Sequence, residues 1–342
     1  MTDSCVLPDF DLSEAGEIAR RLFALDGPIK PLDGERDLNF LIGNERERYV
    51  FKIANAEESP AMLECQHQVF QLLADAQVFP QVATARPSIN NNLIECVRSK
   101  TGSEHACRVM PFIEGRMLSR VGNLEPELLE DLGRHLARLD LALESFSHPA
   151  LERPLLWRMD NALDVLESFK SLLVSGPRRD LVDYFESGYR TRVLPKQEEL
   201  RRAVIHNDAN RANVLVDESG LRVVTVIDFG DMIETWLVIE PVIAATYAML
   251  DQSGPLDKAA AVLRGFHAEL PLKPVEIDLV YDFICMRLCT SVCINAHQIA
   301  LEPDNEYLNV DIEPTWKLLA QLRSTHPREF RLKMRSACGF VD

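Results

Sequence analysis

The chain has 342 residues, 46% of them hydrophobic, and a formal net charge of −16. That length admits one large domain or two moderate ones, with apolar content enough for a core. The acidic balance argues against a nucleic-acid partner, because no basic excess is present to displace counterions from a phosphate backbone.

Residues 1–10 lack a basic region followed by an apolar run, so no secretory signal is expected. Residues 11–25 carry Leu12, Ala15, Ile18, Ala19, Leu22 and Phe23 at helical spacing. Three short strands are predicted next, over 29–32, 38–42 and 49–53, separated by the turn signals Asp33-Gly34 and Gly43-Asn44. Ser59-Pro60 reads as an N-cap followed by proline at the first helical position. The helix it opens carries Met62, Leu63, Gln66, Val69, Phe70 and Leu73. Strands are predicted again over 92–97 and 106–112.

After Gly115 the pattern turns mostly helical, with helices predicted over 126–143, 157–173 and 180–200. A strand at 203–205 and a hairpin of 213–216 with 221–227 interrupt them. Helices resume over 237–250, 256–270, 274–300 and 313–322. Cys285, Cys289 and Cys293, three of eight cysteines, fall four apart on the predicted 274–300 helix. They read as a buried apolar stripe rather than a metal cluster. No stretch approaches the roughly 18 apolar residues of a membrane span, so a soluble, reduced, cytoplasmic protein with no membrane partner is expected. Oligomeric state is not legible. The boundary expected is 1–112 for a small strand-rich lobe and 113–342 for a larger helical one, with a nucleotide in the cleft between them.

The chemistry is concentrated in His206-Asn207-Asp208-Ala209-Asn210-Arg211-Ala212-Asn213 and in Asp228-Phe229-Gly230. Phosphoryl transfer needs a carboxylate to orient the attacking hydroxyl and accept its proton, a role that falls to Asp208. It also needs hard oxygen donors to hold Mg²⁺ against nucleotide phosphates, which Asn213 and Asp228 supply. Either motif alone is weak. Together, in this order and flanked by strand-like runs, they are specific, the competing reading being a polar loop that caps an ordinary hairpin. His206 is expected to be structural.

Lys52 lies inside the apolar strand Val50-Phe51-Lys52-Ile53, where an ammonium needs a partner. It is expected to reach the nucleotide phosphates and to be held by Glu64 from the next helix; a strand-edge lysine and a solvated glutamate are the alternative. Gly34 lies in a loop that either contacts phosphate through its amides or forms a plain β-turn. Met110 and Phe112 belong to the expected connector, where extended backbone can meet a purine edge. Asp231 either approaches metal or substrate, or caps the following helix. Arg211 either meets a phosphate or substrate carboxylate, or forms a surface ion pair.

The stretches Val204-Ile205-His206-Asn207-Asp208, Asn213-Val214-Leu215 and Val226-Ile227-Asp228-Phe229-Gly230-Asp231 resemble the aminoglycoside phosphotransferase and choline kinase superfamily. This resemblance implies an α+β, protein-kinase-like two-lobe fold with a small antiparallel-sheet N-lobe and a larger, mostly helical C-lobe. It also implies transfer of the γ-phosphoryl of ATP or GTP, with Mg²⁺, to a small-molecule hydroxyl. Asn207 stands where protein kinases carry arginine, and no activation segment follows Gly230. Further stretches, around Leu155-Leu156-Trp157, Asn161-Ala162, 244–250 and Met286-Arg287-Leu288, are similar to hydroxylysine kinase and its bacterial relatives. That similarity points to 5-hydroxylysine as acceptor. An aminoglycoside, a sugar or a choline-type aminoalcohol is the alternative, and a nucleotide-binding pseudokinase the third reading. Trp157 and Arg287 are then substrate-side candidates, Arg287 as a bidentate partner for a carboxylate. Otherwise Trp157 is core and Arg287 pairs with Asp282 or Glu240. Arg158 departs from the acidic residue expected after the tryptophan.

Overall fold

The computed structural model describes residues 7–34, 36–44, 47–301 and 312–341. They divide into two compact units, Met1–Glu114 and Gly115–Asp342. In the first, helix α1 (Leu12–Phe23) starts at a reciprocal capping box between Asp11 and Glu14, which satisfies two orphan amides at once. Strands β1 (Ile29–Leu32), β2 (Leu38–Gly43), β3 (Arg48–Ile53), β4 (Glu95–Arg98) and β5 (Glu104–Pro111) form one antiparallel sheet in the order β1-β2-β3-β5-β4. Phe23 of α1 packs with Phe40, Phe51, Ile53 and Val109 of the sheet in a buried cluster. Helix α2 (Pro60–Asp75) has proline in its first turn, but Ser59 makes no side-chain cap bond. Its inward stripe is Met62, Leu63, Cys65, Gln66, Val69, Phe70 and Leu73.

The second unit contains two small sheets among helices. Strand β6 (Arg116–Met117) pairs with β8 (Val214–Val216), which forms a hairpin with β9 (Val223–Val226). Strand β7 (Arg202–Ile205) pairs antiparallel with β10 (Ile233–Trp236). Neither β6 nor β10 is expected from the sequence. Each is too short to show a period, and each is recruited by a partner far along the chain. The helices are α3 (Pro126–Ala142), α4 (Ala162–Phe169), α5 (Pro177–Arg192), α6 (Ile239–Met249), α7 (Pro255–Glu269), α8 (Pro274–Asp278), α9 (Val280–Leu301), α10 (Ile312–Ser324) and α11 (Pro327–Ala337).

Three predicted helices are shorter or broken. The 180–200 helix gives way at Val193, ahead of Pro195, to a 3₁₀ stretch, because proline lacks the donor and crowds the preceding turn. The 157–173 helix is α4 between 3₁₀ turns at Met159–Asn161 and Lys170–Leu172. The 274–300 helix is α8 and α9, joined at Leu279. Contrary to the sequence reading, α9 is long and apolar enough to cross a membrane. Here it is a core helix that packs against α4, α5, α6 and α10. Its three cysteines are buried, and burial pushes the Cys293 thiol up to about 12.

Helices α3 and α7 pack closely because a glycine on each lies against the other's backbone. A Cβ on Gly265 would collide with the Glu130 carbonyl, and one on Gly133 with the Val262 carbonyl. Backbone has no rotamer by which to yield, so overpacking here is costly. Gly265→Ala is expected to lower unfolding stability by about 1–3 kcal/mol. Gly122→Ala, where a Cβ meets nothing within 4 Å, serves as the control. Urea melts of the two variants beside the parent check this.

Candidate active site

The loop 206–213 runs from β7 to β8 and is held from beneath. Asn207 adopts a positive φ of 65°, a conformation that persists in a side-chain-bearing residue only when its surroundings enforce it. Its backbone N–H donates to Glu240 Oε2 of α6 at 3.0 Å, and its Nδ2 donates to the Asp231 carbonyl at 3.2 Å. His206 is fully buried. Its Nε2 lies 3.1 Å from the Ile227 carbonyl, and its Nδ1 accepts from the Asp208 N–H at 3.3 Å. Burial pushes the imidazole down to about 4. A neutral ring with the proton on Nε2 satisfies both bonds, so His206 is a structural pin, as its position suggested.

This frame presents Asp208. Asn213 Nδ2 donates to Asp208 Oδ2 at 2.6 Å, and Asn210 Nδ2 lies 3.0 Å from Oδ1 and 3.1 Å from Oδ2. Burial, reinforced by the charge of Asp231, pushes the Asp208 carboxyl up to about 7, against the pull of Arg287 and Asn210. A carboxylate balanced near neutrality suits a general base. Ile227 N–H donates to the Asn213 carbonyl at 2.8 Å, tying the loop to the chain just before Asp228. Asp228 is itself in the left-handed region, at φ 64°, and accepts from the Gly230 N–H at 3.2 Å.

These donors fit a divalent metal. The Asn213 amide gives its NH₂ to Asp208, which leaves its oxygen as the remaining donor. Asp228 is an exposed carboxylate at the end of β9. Two hard oxygens, with waters and phosphates completing the shell, match the way Mg²⁺ is usually held.

In the first unit, Lys52 faces Asp37 rather than Glu64. Lys52 Nζ lies 3.6 Å from Asp37 Oδ2, with both side chains largely buried. Asp37 Oδ1 accepts from Asn55 N and Nδ2 at 3.0 and 3.2 Å. Glu64 is exposed and, among the described residues, accepts from Gln68, because position 64 falls off the inward stripe of α2. The expected Lys52–Glu64 pair is therefore corrected to Lys52–Asp37. Gly34 sits in a tight loop where a Cβ would meet the Asn39 side chain and the Asp37 carbonyl. Asn39 Nδ2 closes that loop on the Asp33 carbonyl at 3.2 Å.

Met110 and Phe112 do not offer free backbone donors. Phe112 N–H donates to the Arg48 carbonyl at 2.9 Å, and Met110 lies opposite Val50 in the same ladder phase. In an antiparallel ladder such alternate residues bond to the partner strand. The Met110 side chain is buried, and Arg48 covers the Phe112 ring at 5.0 Å.

Of the substrate-side candidates, Arg287 and Trp157 meet beside Asp208. Arg287 Nη2 lies 3.9 Å from Asp208 Oδ1, and Nη1 donates to the Trp157 carbonyl at 3.1 Å. Asp282 pairs instead with Arg192, at 2.6 Å, which removes one alternative partner for Arg287. Arg211 turns to the Val121 carbonyl at 3.2 Å, and its own carbonyl accepts from Ser119 N–H. It thus braces the loop against the turn after β6. Arg158 is held by Asp160, at 2.9 and 2.8 Å, and by the Glu234 carbonyl. It helps line a cavity of roughly 560 Å³ with Arg153, Asn161, Arg202 and Glu234.

A profile of the phosphotransferase enzyme family, APH, matches residues 28–273. The chain belongs to this family. Among curated proteins it is 30% identical to hydroxylysine kinase of Mus musculus over 341 aligned residues, covering 92% of this chain and 90% of that protein. It is 29% identical to hydroxylysine kinase of Bos taurus with the same coverage. Among solved structures, a microcompartment-associated aminopropanol kinase superposes with a TM-score of 0.74 at 15% identity, covering 95% of this chain and 99% of that one. The amicoumacin kinase hAmiN gives 0.70 at 15%, covering 93% and 95%. The protein-kinase-like α+β fold expected from the motifs is thus the fold observed, and the chain is a phosphotransferase.

Sequence reasoning missed the support that this phosphotransferase gives its loop. Glu240 is fully buried among the apolar residues of α6. A lone acid in such a run was the available signal. Burial pushes it up to about 7, while the bonds from Asn207 and His206 pull it back. Asp140 of α3, also fully buried, is driven well above the ordinary carboxylate range by burial and by Glu240. In the unfolded chain Glu240 loses its proton near its ordinary value of 4.5, whereas the folded chain keeps that proton longer. Between the two values the unfolded state binds fewer protons, so stability falls as pH rises. Glu240→Gln keeps an acceptor for Asn207 but escapes this loss. Its stability relative to the parent is therefore expected to improve as pH rises from about 4 to about 8. Urea melts at both pH values measure the change, and a gap independent of pH would show that folding does not shift the Glu240 carboxyl.

Proposed function

We propose that the chain is a Mg²⁺-dependent kinase that moves the γ-phosphoryl of ATP or GTP to the hydroxyl of a small amine or amino acid, with 5-hydroxylysine as the favoured acceptor. The observation that carries this reading is the Asp208 carboxylate, held at both oxygens by the Asn213 and Asn210 amides. The identity to hydroxylysine kinases across nearly the whole chain supports the acceptor.

Asp208 orients the acceptor hydroxyl and takes its proton as the oxygen attacks phosphorus. The paired amides of Asn210 and Asn213 keep the carboxylate in that orientation through the transfer. Asn213 and Asp228 would hold the divalent metal, which when bound spreads the charge on the phosphates. Lys52, steadied by Asp37, is assigned to the phosphates of the nucleotide. The nucleotide and divalent cation named with the amicoumacin kinase, AMP-PNP and Ca²⁺, agree with this class of co-substrate and metal.

A choline-type aminoalcohol or an aminoglycoside is the rival acceptor, favoured by the net charge of −16, which suits a cation. A pseudokinase would be expected to have lost the lysine, the base or the metal donors, and Lys52, Asp208, Asn213 and Asp228 are all present.

Asp208→Ala is expected to cut turnover by roughly 10³-fold or more while leaving nucleotide affinity within a few-fold, read by coupled assay and by titration of Mg-nucleotide. A panel of hydroxylated amino acids, aminoalcohols and aminoglycosides, offered with ATP and with GTP, tests the acceptor. Turnover of aminoglycosides without turnover of 5-hydroxylysine would replace the favoured substrate.

A further inference from the structure

Arg287 of α9 is only 2% exposed and ranks among the largest fully buried side chains of the chain. Its guanidinium lies 4.5 Å from the Trp157 ring centroid and 5.8 Å from that of Tyr247 on α6. Nη1 is bound to the Trp157 carbonyl, and Nη2 stands 3.9 Å from Asp208 Oδ1. Nε is buried and has no hydrogen-bond partner among the described residues. Burying a cation is expensive unless its geometry is made to matter. Four parts of the second unit converge on this one: α9, α6, the segment before α4, and the loop carrying Asp208.

The remaining partners of Asp208 are neutral amides from its own loop, Asn210 and Asn213. Among the described residues, Arg287 is the one cation with an ion pair to this carboxylate, and it comes from a rigid helix rather than from the loop. We propose that Arg287 is a positioning residue for the Asp208 carboxylate, acting from the α9 side alongside the loop amides, and not a clamp for the acceptor's carboxylate. Its burial and its aromatic neighbours leave little of the guanidinium for a ligand. Asn213 holds Oδ2 and Asn210 bridges both oxygens from the loop, while the Arg287 charge faces Oδ1 across 3.9 Å from the helix and favours that direction over one toward the other acids. This assignment rests on Asp208 being the base.

The test measures kcat, the KM for each substrate and the nucleotide Kd for Arg287→Lys, Arg287→Met and Arg287→Ala, with Asp208→Asn in parallel. Arg287→Met is expected to lower kcat by roughly 10²-fold with both KM values and the nucleotide Kd within about threefold. Arg287→Lys should recover part of that loss, since it keeps the charge without the planar fork. Methylguanidinium, but not the neutral methylurea, should restore turnover to Arg287→Ala and should do nothing for the double variant with Asp208→Asn. A raised acceptor KM at unchanged kcat would overturn the proposal in favour of a substrate clamp. Loss of turnover that tracks loss of folding, with no rescue by charge, would overturn it in favour of packing. If Arg287→Met is insoluble, the comparison of Arg287→Lys with the parent and the rescue of Arg287→Ala still decide. Full turnover by Asp208→Asn would instead remove the base itself, a result independent of how the Arg287 variants behave.

Discussion

The bond from the Asn207 amide to the Glu240 carboxylate organises the active loop. It holds Asn207 in a left-handed conformation, and the next residue, Asp208, then meets Asn210, Asn213 and Arg287. A residue with a side chain stays in that region only where neighbouring bonds outweigh the strain. Here the supply is local and redundant. Glu240 takes the backbone, Asp231 takes the side-chain amide, and His206 is fixed through both ring nitrogens. The polar side chains of the loop therefore work at two levels: those facing inward define the backbone, and those facing outward define the chemistry.

The same division accounts for the electrostatics. Three carboxylates, Asp208, Asp228 and Asp231, are near enough that the other two raise the proton affinity of the first. Loop amides answer this with hydrogen bonds, and α9 answers it with a buried guanidinium. Burial, the larger cause at Asp208, acts in the same direction on the inward-facing Glu240 and Asp140 and favours their neutral forms. A loop that must present negative charge thus rests on acids that resist acquiring it.

Much of this was legible in the sequence, and the boundary of legibility has a physical cause. Asp208, Asn213 and Asp228 stand out in the sequence as candidates because their spacing is local to one loop and one hairpin, and the structure ties that loop to the end of β9 through the Ile227–Asn213 bond. The five strands of the first sheet and the long helices were readable from apolar periodicity, as with Leu128, Leu129, Leu132 and Leu136 on α3. Strand β10 was not, since Ile233–Trp236 is a strand only because β7 lies beside it. The partner of Lys52 was misjudged for a similar reason. Glu64 sits on the next helix, but one position off its inward stripe, and Asp37 reaches the ammonium from a loop that shows no period. For Arg211 the sequence left a phosphate or substrate contact and a surface ion pair open, and the structure turns it instead to the Val121 carbonyl.

The link from Asp228 to β10 is very short, and its backbone is occupied along the way. Arg153 takes the Gly230 carbonyl, Asn207 takes that of Asp231, and β10 begins at Ile233. Order-to-disorder switching of the kind that governs many signalling kinases needs slack in this stretch. None is present, so the catalyst has no latch here for another enzyme to open. The few residues that follow the metal-side carboxylate are instead a rigid strap, bonded to Arg153 and Asn207 and running straight into a strand.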